Sequence, residues 1–218
     1  MLNKLTNFTH DLLAKAQNKK ILFIHIPKTG GMAMRNTKFY KDKVYAYTHQ
    51  ASLTQDYKNH NFTEIFTIVR NPYSRLVSAY FFLKKGGMHN PNDLMSQKLL
   101  EPYDTFDSFV KHLKKDPEFI HKFIHLEPQV DFIYDDNTGL LVDDVLYTES
   151  LEEDYFILCD KYSDNCGELV EKNTSKHSDY TSYYTKELQD IVYNLYKDDF
   201  VKLGYSYDLN KRKTKNKI

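Results

Sequence analysis

The sequence predicts an α/β fold built on a central, mostly parallel sheet. Three observations carry this reading. Short runs of apolar and β-branched residues recur at 20–26, Val44–Thr48 and Glu64–Val69, with helix-period segments between them. Two of these runs end in turns rich in Gly, Pro or Asn that open directly into a helical pattern, Pro27-Lys28-Thr29-Gly30-Gly31 and Arg70-Asn71-Pro72. Strands alternating with helices in this way become parallel neighbours joined by crossovers.

Taken in order, Leu5, Phe8, Leu12, Leu13 and Ala16 fall at helical spacing, which predicts a leading amphipathic helix over 2–17. The first strand, 20–26, is short and mainly apolar and is stopped by Pro27. Met32–Phe39 fits one helix. Val44–Thr48 is rich in Tyr and Val and reads as the second strand, and Ser52 can cap a short helix after it. Glu64–Val69 is the third strand. Asn71 then caps a helix with Pro72 at its first position, and Gly86-Gly87 ends it.

The remainder reads as mainly helical. Thr105–Lys115 and Asp116–His125 are predicted helices, Asp144–Ser150 contains a late strand, and Ser150 with Glu153 forms a capping-box pattern. A long last helix is expected over Ser182–Leu203, with Leu188, Ile191, Val192 and Leu195 as its apolar stripe and Gly204 as its stop. The segments Lys84–Asp104 and Gln129–Asp144 are left as the loops that would shape specificity.

A chain of 218 residues with 41% hydrophobic content predicts a single domain over 1–218, with a helix at 1–19 and a solvated basic tail at 206–218. Trp is absent, so 18 Tyr and 14 Phe must supply the large core side chains. A formal net charge of 0 argues against a nucleic-acid binder, so any anion site is local. No long apolar run occurs near the start, which predicts neither a secretory leader nor a membrane span; a cytoplasmic protein is the expectation. The two cysteines, Cys159 and Cys166, have no metal-binding spacing; reduced thiols are expected, with a local disulfide as the alternative.

The chemistry concentrates in the two turns. Gly30 and Gly31 permit positive φ and close backbone approach, so successive amides can form a nest for an anion, assisted by the helix start and by Lys28. Arg70 ends a strand, where a guanidinium can grip a phosphate with two bonds, and Ser78 lies about two helical turns further on. Arg75 reads as a packing residue rather than a ligand. Two anion-binding turns at neighbouring strand ends point to one ligand with two phosphate-like groups.

The pair FIHIPKTGG (23–31) and IVRNPYSRLVSAY (68–80) resembles the signatures of sulfotransferases that use 3′-phosphoadenosine 5′-phosphosulfate (PAPS), and most of all the carbohydrate, heparan sulfate 2-O-sulfotransferase-like branch. The likeness extends through EPQVDFIYDD, VLYTESLEEDY and the Glu171–Tyr205 segment, covering about Ile21–Tyr205. It implies a P-loop-like three-layer fold with a helical C-terminal part. It implies that Lys28, Thr29, Gly30 and Gly31 bind the 5′-phosphosulfate, with Met32 and Ala33 as further backbone donors. Arg70 and Ser78 would bind the 3′-phosphate, and Asn173, Ser175 or Lys176 would touch the nucleotide. PAPS is then the donor, 3′-phosphoadenosine 5′-phosphate (PAP) the product, the acceptor a hydroxyl, foremost of a carbohydrate, and no metal is needed. Golgi members carry an N-terminal membrane anchor, and the expectation here is a smaller protein without one.

Sulfuryl transfer to a hydroxyl needs a base, and His is tuned for that near neutrality. Of nine His, His49 stands at the end of the second predicted strand and resembles the family's strand-end base; Lys28 would stabilise the leaving phosphate. His25 lies within a strand and reads as structural. His121 and His125 are four apart but lack a third metal ligand. Glu64, Glu127 and Asp131 are carboxylates that sequence does not rank. Two rival functions share parts of this pattern. A non-catalytic PAPS- or glycan-binding module would need Arg70 and Ser78 but not His49 or Lys28. A P-loop small-molecule kinase would need a Lys-[Ser/Thr] pair closing the loop, and here Lys28 precedes the glycines.

Overall fold

The computed structural model describes residues 20–48, 62–163, 165–169, 178–209 and 211. The expected helices at 2–17 and after Ser52 lie outside these residues. In chain order the elements are β1 (Ile21–His25), α1 (Gly31–Asn36), α2 (Lys38–Lys43), β2 (Val44–Thr48), β3 (Glu64–Val69), α3 (Pro72–Lys84), α4 (Pro91–Leu100) and α5 (Phe106–Lys115). There follow α6 (Val130–Ile133), β4 (Tyr134–Asp135), β5 (Gly139–Leu140), β6 (Asp144–Tyr147), α7 (Leu151–Asp160), α8 (Lys186–Leu195) and α9 (Lys197–Lys202). The described residues group into two compact units: Val69 and all before it with Asp131–Asn173, and Arg70–Val130 with Thr174 and all after it.

The first unit carries the α/β sheet. Its strand order is β2-β1-β3-β6, and every pairing is parallel, with Ile21 opposite Val44 and Glu64, and Phe66 opposite Asp144. β1 and β3 are buried at each position, as strands covered on both faces must be, which is why apolar residues dominate them, with His25, Glu64 and Thr67 as the polar exceptions. The core joins Phe23, Phe66 and Ile68 of the strands to Met34, Phe39, Leu151, Tyr155 and Leu158 of the helices. A separate antiparallel pair, β4 with β5, fills part of the segment expected to be loop.

The second unit is helical and built on aromatic packing. Tyr73 packs on Phe200 with ring centroids 4.7 Å apart, and Tyr80 stacks on Phe109 at 5.2 Å. The Tyr80 hydroxyl donates to the Tyr103 carbonyl, and burial pushes its pKa up to about 12.

Several expected elements change form, each for a local reason. The Met32–Phe39 helix is broken at Thr37, which is extended (ψ 156°). Its hydroxyl donates to the Met34 carbonyl and accepts from the Tyr40 amide, closing α1 and capping α2 with one side chain. The Asp116–His125 helix is replaced by a 3-10 turn, Pro117–Lys122. The Ser182–Leu203 helix divides into α8, capped by the Thr185 hydroxyl, and α9, with Tyr196 at the break. Ser150 forms no capping box; its hydroxyl donates to Asp154 instead. Within Lys84–Asp104 lies α4, capped by Asn90 with Pro91 at its first position. Of the expected basic tail, Tyr207 is held in place: its carbonyl accepts from Tyr73 and Gln189, and its hydroxyl donates to Asp190.

Cys159 and Cys166 are joined in a disulfide, which corrects the expectation of reduced thiols. Cys159 is fully buried at the end of α7, and the Cys166 carbonyl accepts bonds from the Tyr155 hydroxyl and the Phe39 amide. No described helix is long and apolar enough to cross a membrane.

Candidate active site

The sheet order creates a switch point. β1 and β3 are neighbours, yet the chain continues from β1 to β2 on one side and from β3 to β6 on the other. Connections that diverge in this way leave a crevice beyond the carboxyl ends of the two strands, where ligands of parallel sheets bind. The Pro27–Gly31 loop leaves β1 at that edge.

The loop is strained in a manner that concentrates its amides. Lys28 has φ 70° and Gly30 has φ 89°. For a lysine that conformation costs roughly 1–3 kcal/mol, a burden that surrounding structure must hold in place. Such turns aim successive N–H groups into one concavity. The N-cap Gly30 gives α1 no side-chain cap, and the Ala33 amide donates to the Gly30 carbonyl at 2.9 Å. Thr29 is fully buried, and its hydroxyl donates to the Ile26 carbonyl at 2.9 Å. The side chain of Thr29 therefore builds the turn, and only its backbone can face a ligand. Met32 is 45% exposed.

Two residues that sequence reasoning missed, or placed only as structural, lock this loop. His25 is 8% exposed and stacks on Phe23 with centroids 5.4 Å apart. A Cβ at Gly31 would lie 2.3 Å from the His25 Cδ2 and Nε2 atoms, so the ring occupies the volume of any side chain at 31. Thr148, just after β6, places its hydroxyl 2.7 Å from the Thr29 carbonyl and 2.9 Å from the Val69 carbonyl. Its one proton is shared between the loop after β1 and the end of β3. Thr148→Val keeps the shape and removes that donor; it is expected to cost about 1–3 kcal/mol of stability, the usual penalty for stranding buried acceptors, read by denaturant unfolding. A change under about 0.3 kcal/mol would show the bond to be incidental.

The second turn begins at Arg70, the residue that follows β3. The Asn71 side chain caps α3, accepting from the Tyr73 amide at 3.0 Å, and Pro72 takes the first helical position, as the sequence predicts. The Arg70 Nε donates to the Ser74 hydroxyl at 2.9 Å, so the side chain folds back along α3. Ser78, buried at 4% exposure, is one turn further along the same face. Ser74 was not singled out by sequence, although Arg70, Ser74 and Ser78 are spaced by four. The Arg70 backbone is held by Gln129, whose Oε1 accepts from the Arg70 amide at 2.9 Å and whose Nε2 donates to its carbonyl at 2.8 Å.

Arg75 is 3% exposed and donates to the Glu127 carbonyl at 2.7 Å, a packing role as expected. The His121 and His125 pair does not share a helix face: His121 Nδ1 lies 2.7 Å from Glu127 Oε2, and His125 packs on Phe82. Glu64 opens β3, at the strand end away from the loop, where it accepts from the Tyr162 hydroxyl and burial raises its carboxyl pKa. His49, Asn173, Ser175 and Lys176 lie outside the described residues.

Fold and loop together define a class: an α/β protein with a P-loop-like parallel sheet and a glycine-rich, positive-φ turn at its switch point. Comparison with known families narrows it. The chain matches the model of the sulfotransferase family over residues 11–206, and it belongs to that family. Its chemistry is therefore transfer of a sulfuryl group to an acceptor. Comparison with curated proteins and with solved structures gave no match.

Proposed function

We propose that this sulfotransferase takes the sulfuryl group from PAPS and places it on a hydroxyl of a carbohydrate by in-line attack, within a single catalytic domain over 1–218. The observation that carries this is the Lys28–Gly31 turn, with positive φ at Lys28 and Gly30, at the switch point of a chain that belongs to the family. A group of phosphate type fits that turn, because its oxygens accept from several amides at once and the Lys28 ammonium balances their charge. Lys28, the Thr29–Gly31 amides and that of Met32 hold the 5′-phosphosulfate; the Ala33 amide supports the turn. Arg70 and Ser78 hold the 3′-phosphate, with Ser74 steadying the guanidinium, and Asn173, Ser175 and Lys176 complete the nucleotide site.

In the proposed step His49 removes the acceptor proton as the hydroxyl oxygen bonds to sulfur. The bond from sulfur to the bridging phosphate oxygen breaks, and its electron pair leaves with PAP. Lys28 and the loop amides stabilise that developing charge, so positioning and electrostatics carry most of the rate. The scheme uses no metal. A carbohydrate acceptor follows the resemblance of the two motifs.

Labelled PAPS with a panel of saccharides, tyrosine peptides and small alcohols, read by mass spectrometry, tests the reaction; sulfation of no hydroxyl in the panel, with PAP bound, would favour a binding module. Thermal shifts with PAP, ADP and ATP test the donor, and stabilisation by ATP with magnesium but not by PAP would favour a kinase. Arg70→Ala is expected to weaken PAP binding by about 1.5–3 kcal/mol, the share of a charged hydrogen bond; unchanged affinity by calorimetry would remove Arg70 from the site.

A further inference from the structure

We infer that Gln129 and Asp199 are positioning residues that set the backbone of Arg70 and thereby the affinity for the nucleotide's 3′-phosphate; the inference rests on the PAPS reading above. Arg70 lies one residue past the end of β3, so no strand ladder serves its amide and carbonyl, and both need partners. A single side chain supplies them. The Gln129 amide accepts from the Arg70 N–H at 2.9 Å and donates to the Arg70 carbonyl at 2.8 Å, as a neighbouring strand would.

Gln129 is fully buried and is itself fixed. Its backbone amide donates to Asp199 Oδ2 at 3.0 Å, its Nε2 reaches the same oxygen at 3.2 Å, and the Val130 amide donates to Asp199 Oδ1 at 2.9 Å. Only one orientation of the side-chain amide satisfies this set, because Oε1 faces an N–H and Nε2 faces two oxygens. Asp199, on α9, is fully buried; burial raises its carboxyl pKa, while the Arg75 guanidinium and these amides lower it. Asp199 therefore orients Gln129, and Gln129 orients Arg70. The Arg70 Nε is pinned to Ser74 at 2.9 Å, so the guanidinium is arranged before any anion arrives. Preorganisation of this kind raises affinity by lowering the ordering cost of binding.

The test is a double-mutant cycle on the full chain, with PAP affinity by calorimetry and the melting midpoint for each protein. Gln129→Met keeps the volume and removes the paired bonds; it is expected to weaken PAP about 10-fold. Combined with Arg70→Ala it should bind within about twofold of Arg70→Ala alone, because coupled residues are not additive. Wild-type affinity in Gln129→Met, or losses that multiply in the double variant, would overturn the inference. Hydrogen exchange of the Arg70 amide provides a readout independent of ligand: protection in the wild type should fall in Gln129→Met, and unchanged protection would overturn the positioning role. Failure of the wild type to bind PAP overturns the donor reading instead, and amide exchange still decides the positioning role. Should Gln129→Met not fold, Asp199→Asn, which exchanges one acceptor oxygen for a donor, is read by the same measurements and the same criteria.

Discussion

His49→Ala is expected to lower turnover about 10²–10⁴-fold, the usual share of a general base, with PAP bound as tightly as by the wild type. β2 runs parallel to β1 with Thr48 opposite His25, so β2 ends at the edge from which the Lys28–Gly31 loop departs, and His49 is the next residue in the chain. A neutral imidazole can accept the acceptor's proton and release it to water between turnovers. The wild type should therefore show an acidic limb in its rate profile that the variant lacks. Single-turnover rates across pH, with PAP affinity measured on the same protein, check this. Turnover near that of the wild type would move the base elsewhere.

The second large effect is expected at Gly31. In Gly31→Ala the new methyl group would lie 2.3 Å from two atoms of the His25 ring, and that ring is 8% exposed and stacked on Phe23. Neither side can yield freely, so the loop must shift and its amides turn away from the anion. Overpacking of about 1–3 kcal/mol, expressed in binding, corresponds to roughly 5–150-fold weaker PAP. His25→Ala opens the space, so His25→Ala/Gly31→Ala should recover much of the affinity that Gly31→Ala loses. Calorimetry with PAP on the three variants and the wild type measures this, with melting midpoints to separate binding from unfolding. Wild-type affinity in Gly31→Ala, or a double variant no better than the single, would contradict the account.

The sheet was legible because its physics is local. Val44–Thr48 and Glu64–Val69 are strands with the bounds read from their side chains, and β1 falls within the predicted 20–26. Pro72 after Asn71, and the glycines after Lys28, mark their turns through backbone constraints that each residue carries with it. What sequence did not reveal depends on residues far apart. Thr148 meets Thr29 across 119 positions, and Gln129 meets Arg70 across 59 and Asp199 across 70. No periodicity encodes such pairs. α4 was missed for another reason: it buries Asp93 and Ser96 beside Leu100 and exposes Leu94, Met95 and Leu99, so its apolar residues do not form the inward stripe used to find helices. Its Asn90-Pro91 start was the available signal. At Ser150 the capping pattern was present, but Asp154 offered the hydroxyl a stronger, charged acceptor.

The sulfur–sulfur link from Cys159 to Cys166 makes the molecule a reporter of its surroundings. With the link reduced, the turn around Cys166 keeps the Tyr155 hydroxyl, the Phe39 amide and the packing of Cys166 and Leu169 on the core. Closing so short a ring restrains the unfolded chain by about 2–3 kcal/mol, so a reduced molecule melts earlier. Shelf life, purification and assay of this enzyme accordingly belong in buffers free of thiols.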